Sequence, residues 1–297
     1  MNPTISFFGA SVTQQQTGYV YEFTKLLLNG NVNKYGYGSM HLNDAGMCFI
    51  DNALENKPNY LFIEWFGTGY VNNLCEVYLD TIVNKCANIN CVPIFLLLDR
   101  TDIEKRMPFN NKIKEYANKH NIHYIEIINI ENRSNYLRDT VHTTELGSQY
   151  YADIIYNYFI TTLHDKEYDF TLIKRISPTI YSNILNINVN KTFHNNIIIE
   201  GNCEIVGMYQ KIGPCSGLCE ISYNDGKKQN CNVWDQWCHF ERDNLKLNIK
   251  CETRIQINIL QDEFDTSSAK IQNVDNNKKM IIHSICYIGN ISKVDGN

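Results

Sequence analysis

The run Val92–Leu98 (Val-Pro-Ile-Phe-Leu-Leu-Leu) contains no charged or hydrogen-bonding side chain. A strand with one wet face alternates apolar and polar residues, whereas a strand covered on both faces reads as an unbroken apolar run. This run therefore predicts a central strand of a parallel sheet with helices on both sides. Ile5–Phe8 and Tyr60–Trp65 read as further strands, as do Val32–Tyr35 and His123–Ile127. Amphipathic stretches lie between them. Tyr19, Glu22, Phe23, Leu26 and Leu27 fall at helical spacing, and Asn29-Gly30-Asn31 stops that helix. Val71–Lys85 and Asp102–Lys119 read as helices. Thr143–Leu163 reads as a long helix with Leu146, Tyr150, Ile154, Ile155 and Tyr158 inward. Strand–helix alternation with right-handed crossovers gathers the loops after the strands at one sheet edge, where ligands bind.

The pattern changes near residue 168. Ile173–Pro178 reads as a linker. Short strands with turn signals follow: Asn196–Ile199, Glu204–Tyr209, Leu218–Tyr223, Asn232–Trp234, Leu245–Cys251, Arg254–Leu260 and Met280–Tyr287. Gly201-Asn202 and Asn224-Asp225-Gly226 read as turns between them. The expectation is an α/β domain over residues 1–167 and an all-β, jelly-roll-like sandwich over 168–297. Each is large enough to bury its own core.

The 297 residues include 43% hydrophobic and 20% charged residues, which reads as globular. A net charge of −5 argues against a nucleic-acid partner, which needs a basic face. No apolar run approaches the roughly 20 residues of a membrane span, and no signal peptide is visible, so a cytoplasmic location is expected. The 11 cysteines are an odd number, consistent with free thiols. Cys215, Cys219, Cys231 and Cys238 do not have the paired spacing of zinc knuckles, and no metal site is expected.

Two segments carry the chemistry. Gly9-Ala10-Ser11-Val12-Thr13 places a serine at the end of the first strand, and Asp139-Thr140-Val141-His142 precedes the last helix of the α/β domain. A serine hydroxyl becomes nucleophilic when a base takes its proton and donors meet the oxyanion. His142 is the candidate base, and Asp139 would orient its ring and stabilise the imidazolium. The Ser11 N–H and Gly38 are candidate oxyanion donors. Taken singly, these pieces also have plain readings: a loop Gly-x-Ser, a helix cap, turn glycines. Glu64 and Asp99-Arg100 stand at strand ends and could line the pocket or serve as caps and ion pairs. The Trp234–Arg242 stretch, dense in aromatic and polar residues, could stack on sugar rings or simply alternate core and rim.

The order and spacing of these segments resemble the SGNH (GDSL) hydrolase family over about residues 4–165. Gly9-Ala10-Ser11-Val12-Thr13 resembles its first block, Tyr35-Gly36-Tyr37-Gly38 its second, and Asp139-Thr140-Val141-His142 its last. The third block departs: Thr68 stands where the family has an oxyanion asparagine. The resemblance implies a flavodoxin-like three-layer α/β/α domain with Ser11, His142 and Asp139 catalytic. Ser11, Gly38 and Thr68 would form the oxyanion hole. The implied activity is that of an ester hydrolase, or an O-acyltransferase, acting on acyl groups of a carbohydrate or polysaccharide. Hydrolysis would need no cofactor; transfer would need an activated donor such as acetyl-CoA. The rival reading is a non-catalytic glycan-binding or scaffold module with a degenerate site.

Overall fold

The computed structural model describes residues 2–38, 40–41, 46–64, 75–164, 166–173, 180–262, 264–272 and 275–297. These divide into two compact units, Met1–Ser182 and Asn183–Asn297. The first extends past the expected divide at 167/168 because Tyr168 and Phe170 pack on its hydrophobic core. All of the expected linker but Ile173 lies outside the described residues.

The first unit runs β1 (Thr4–Gly9), α1 (Ser11–Gln14), α2 (Tyr19–Leu26), β2 (Asn31–Gly36), α3 (Met47–Leu54), β3 (Tyr60–Ile63), α4 (Cys75–Asn88), β4 (Val92–Leu98), α5 (Met107–His120), β5 (His123–Ile127), α6 (Glu145–Tyr158) and α7 (Phe170–Ile173). Its five strands are ordered β2-β1-β3-β4-β5, and every pairing is parallel. This is the flavodoxin-like order. All seven residues of β4 are buried, as their apolar run requires.

Period-two alternation divides the sheet residues between two layers. Ile5 and Phe7 of β1, Phe62 of β3, and Ile94, Leu96 and Leu98 of β4 pack with Tyr19 and Phe23 of α2 and Tyr151, Ala152 and Ile155 of α6. Phe7 is the hub. Its ring stacks on Phe62 at 4.9 Å and meets Phe23 and Tyr19 edge-on at 5.0 and 5.7 Å.

The inward face of α6 differs from expectation. Leu146 and Tyr150 are 50% and 37% exposed, while Gly147, Ser148, Tyr151, Ala152 and Ile155 are buried. Small residues set this face. A Cβ on Gly147 would collide with the Tyr136 carbonyl, so the helix approaches the preceding loop where it has no side chain. The α-helix continues as a single π turn, Phe159–Leu163.

The second unit is an antiparallel sheet of eight strands: β6 (Leu185–Phe193), β7 (Asn196–Ile212), β8 (Leu218–Tyr223), β9 (Lys228–Asn232), β10 (Arg242–Lys246), β11 (Ile249–Cys251), β12 (Arg254–Ile259) and β13 (Met280–Gly296). β7 pairs with β13 along one edge. Along the other it meets β12, β11 and β10 in turn. Two expected strands are thus the one strand β7, and Gly201 is not a turn. It sits where the β7/β13 register shifts, at φ +152°, with no room for a Cβ against Asn290 and Ile291. A glycine inside a strand commonly marks such a bulge. Trp234 is buried in this unit's core edge-on to Phe264, while Trp237 and Phe240 are 46% and 47% exposed. Cys203 faces Cys251, and Cys219 faces Cys231, across adjacent strands.

Phe7→Ala removes the ring against which Tyr19 and Phe23 of α2 and Phe62 of β3 pack. A loss of about 3–5 kcal/mol is expected, read as a lower urea midpoint for the first unit's transition. A loss under about 1 kcal/mol would show that the layer does not depend on this ring.

Candidate active site

The topology brings the chemical segments to the carboxyl edge of the parallel sheet. β1 ends at Gly9, and Ser11 begins the single turn α1, closed by Gln14 N–H to the Ala10 carbonyl at 3.0 Å. β2 ends beside it. A Cβ on Gly36 would run into the Gln14 backbone, and one on Gly38 would reach the Gln14 amide and stand 3.9 Å from the Ser11 Cβ. Position 36 must lack a side chain for the two loops to meet.

The histidine arrives from the far side. Residues 136–144 form a tight hairpin: Arg138 N–H donates to the His142 carbonyl at 2.9 Å and Thr144 N–H to the Tyr136 carbonyl at 2.9 Å. Thr144 caps α6, its hydroxyl accepting the Gly147 N–H at 3.0 Å. The cap is therefore provided by a threonine, and Asp139 is left for the ring. Asp139 Oδ1 accepts the N–H groups of Val141 and His142 at 3.0 and 2.9 Å. His142 Nδ1 lies 3.0 and 2.9 Å from its two carboxylate oxygens. His142 Nε2 lies 2.8 Å from Ser11 Oγ, across 131 residues of sequence.

With Asp139 ionised, the neutral imidazole carries its proton on Nδ1 and offers the Nε2 lone pair to the serine hydroxyl. Partial burial works to raise the Asp139 pKa. The backbone N–H groups of His142 and Val141, with the ring itself, outweigh that and hold the carboxyl below its ordinary range. The side chains of His142 and Asp139 are 26% and 50% exposed, so the site stands open to water.

Ser11, His142 and Asp139 are thus brought together, with Gly38 beside Ser11. Thr68 lies outside the described residues. Asp99 is engaged elsewhere: it binds Arg133 Nε at 2.7 Å and the Ile130 N–H at 3.1 Å, tying down the loop after β5. Arg100 pairs with Asp102 at 2.7 Å.

Gln15 gains importance only in three dimensions, and Glu64, expected at a strand end, has its role defined there. The Gln15 amide clasps Thr143, with Oε1 accepting the Thr143 N–H and Nε2 donating to the Thr143 carbonyl, both at 3.3 Å. It ties the serine segment to the histidine segment, and nothing in the sequence marks it. Glu64, just past β3, is 1% exposed and lies beneath the nucleophile turn. Its Oε2 accepts the Ala10 N–H at 3.1 Å and the Thr13 hydroxyl at 3.0 Å. Burial pushes its pKa up to about 7, against the lowering effect of the Thr13 and Ala10 hydrogen bonds and of Arg100.

Neither a protein-family model nor a curated protein matches the sequence. Solved structures do match. The chain aligns over 97% of its length with 92% of a two-domain esterase (CEX) active on acetylated mannans, at a TM-score of 0.62 and 12% identity. That esterase co-crystallized with mannopentaose gives a TM-score of 0.65 and 13% identity, over 97% of this chain and 91% of that one. The chain has the fold of a two-domain esterase. At such identity the likeness is one of backbone path, and it spans residues of both units.

The raised Glu64 pKa predicts a pH-dependent stability with a definite sign. Below about pH 4.5 the carboxyl is protonated in both the folded and unfolded chain. As pH rises toward 7 the unfolded chain ionises first, and the folded state loses the advantage of its tighter proton. Glu64→Gln, neutral throughout, is expected to unfold at a higher temperature than the wild type above pH 7. The gap corresponds to about 3 kcal/mol and closes toward pH 4.5. Parallel melting curves at pH 4.5, 6 and 8 check this, and a gap independent of pH would contradict it.

Proposed function

We propose that this chain is a serine esterase that removes acyl groups, acetyl foremost, from a polysaccharide. The observation that carries this reading is the continuous hydrogen-bonded series Ser11–His142–Asp139 at the carboxyl edge of a parallel sheet. Ser11 Oγ attacks the acyl carbonyl as His142 Nε2 takes its proton. Asp139 holds the ring and stabilises the imidazolium. The N–H groups of Ser11 and Gly38, with the Thr68 hydroxyl in the place of the family's asparagine, receive the oxyanion. Collapse breaks the ester C–O bond, and His142 returns the proton to the departing sugar oxygen. Water, deprotonated in turn by His142, attacks the acyl-serine carbonyl; the acyl carbon–Oγ bond breaks, His142 returns that proton to Ser11 Oγ, and the carboxylic acid leaves.

The carbohydrate substrate is supported by the shared fold with an esterase active on acetylated mannans. Hydrolysis is favoured over transfer to a second sugar because the half-exposed Asp139 and the partly exposed His142 leave water free access to the acyl-enzyme.

Wild-type protein is expected to be labelled at Ser11 by a fluorophosphonate probe and to release acetate from acetylated mannan or xylan, followed by proton NMR. Ser11→Ala and His142→Ala are expected to abolish both. Asp139→Asn is expected to slow turnover by about 10²–10⁴-fold. Acetyl groups appearing on an added acceptor sugar instead of as acetate would replace the hydrolase with a transferase. An unlabelled wild type that still binds the polysaccharide would replace the enzyme with a binding module.

A further inference from the structure

Building on the esterase reading above, we propose that Glu64 is a positioning residue for the nucleophile: its buried carboxylate holds Ala10 and Thr13, on either side of Ser11, and so sets where Ser11 Oγ stands relative to His142.

The geometry is local and specific. One carboxylate oxygen, Oε2, takes the Ala10 N–H at 3.1 Å and the Thr13 hydroxyl at 3.0 Å, so a single atom grips both flanks of the serine turn. Because Thr13 donates to Glu64, its oxygen must accept at 2.8 Å from the Tyr19 hydroxyl, which anchors the relay on α2. Glu64 is itself fixed by its own N–H to the Phe8 carbonyl at 2.8 Å, extending the β1/β3 pairing. Gly9 completes the fit. A Cβ there would come within 2.7 Å of Glu64 Oε2, so the glycine leaves the space that the carboxylate occupies.

An apolar side chain at position 64 would be easier to bury but would leave the Ala10 N–H and the Thr13 hydroxyl without their acceptor. The arrangement therefore fixes the turn at the expense of fold stability. Three groups from other elements bear electrostatically on this carboxylate: Tyr19 on α2, Tyr151 on α6, and Arg100 after β4. Burial raises both tyrosine pKa values, and the Tyr19 phenol is the donor to Thr13.

The test compares wild type, Glu64→Leu, Glu64→Gln and Thr13→Val. Three quantities are measured at pH 8: the rate of fluorophosphonate labelling of Ser11, kcat and KM for 4-nitrophenyl acetate, and the melting temperature. Glu64→Leu is expected to melt no lower than wild type yet to lose about 10- to 100-fold in labelling rate and kcat, with KM within about twofold. Glu64→Gln, which keeps an acceptor oxygen, is expected to recover most of that loss, and Thr13→Val to fall between. The idea is overturned if Glu64→Leu is labelled at the wild-type rate, or if Glu64→Gln falls as far as Glu64→Leu. Should Glu64→Leu fail to fold, Thr13→Val decides, and labelling of that variant at the wild-type rate overturns the proposal. A wild type that is not labelled at all overturns this proposal and the esterase reading together. A labelled wild type with an indifferent position 64 overturns this one alone.

Discussion

The hydrogen bond between Ser11 and His142 is 2.8 Å long and joins residues 131 apart in the chain. Such a contact can form only if the strand before the serine and the segment after β5 end at the same edge of one sheet. The β2-β1-β3-β4-β5 order with all strands parallel meets that condition. The buried run of β4 fills the interior of the sheet between β3 and β5, and Phe7 ties β1 to Tyr19 and Phe23 of α2. The packing of the first unit thus sets the reach between Ser11 and His142, which depends on sheet topology more than on any local motif.

Parts of this were legible in the sequence because they follow from one-dimensional patterns. β4 reads as a continuous apolar run since it is covered on both faces. Ser11, Asp139 and His142 stand out because a serine after a strand and an Asp-x-x-His before a helix are short, ordered signals. Where the sequence misleads, a side chain's role is set by something distant. Leu146 and Tyr150 have the bulk expected of a buried face, yet the face is chosen by Gly147, Ser148 and Ala152, whose small size permits close approach. Gly201 has the composition of a turn, but it lies within β7 against Asn290 of β13, opposite the bulge at which β13 carries the extra residue Ser292. Gln15 carries no signal, because an amide at the end of a turn is unremarkable until Thr143 is seen to meet it.

Glu64 sets the cost of a buried charge against the hydrogen bonds it makes to the Ser11 turn. A carboxyl at 1% exposure disfavours folding once it must ionise, and burial shifts its pKa accordingly. The same burial gives its hydrogen bonds to the serine turn their directionality, since no water competes for the oxygen. Three residues of the Gly9–Thr13 segment are explained by this one group: Gly9 by the space it vacates, Ala10 by its N–H and Thr13 by its hydroxyl.

Gly147 has a comparable leverage from the opposite side of the site. It contributes no side-chain atom, yet the Tyr136 carbonyl occupies the place where one would stand. That carbonyl also receives the Thr144 N–H, which closes the hairpin bearing Asp139 and His142. A single methyl group at Gly147 would act as a shim, wedging the hairpin off the helix and swinging the imidazole it carries. The placement of His142 therefore depends in part on a missing side chain, five residues downstream of the ring.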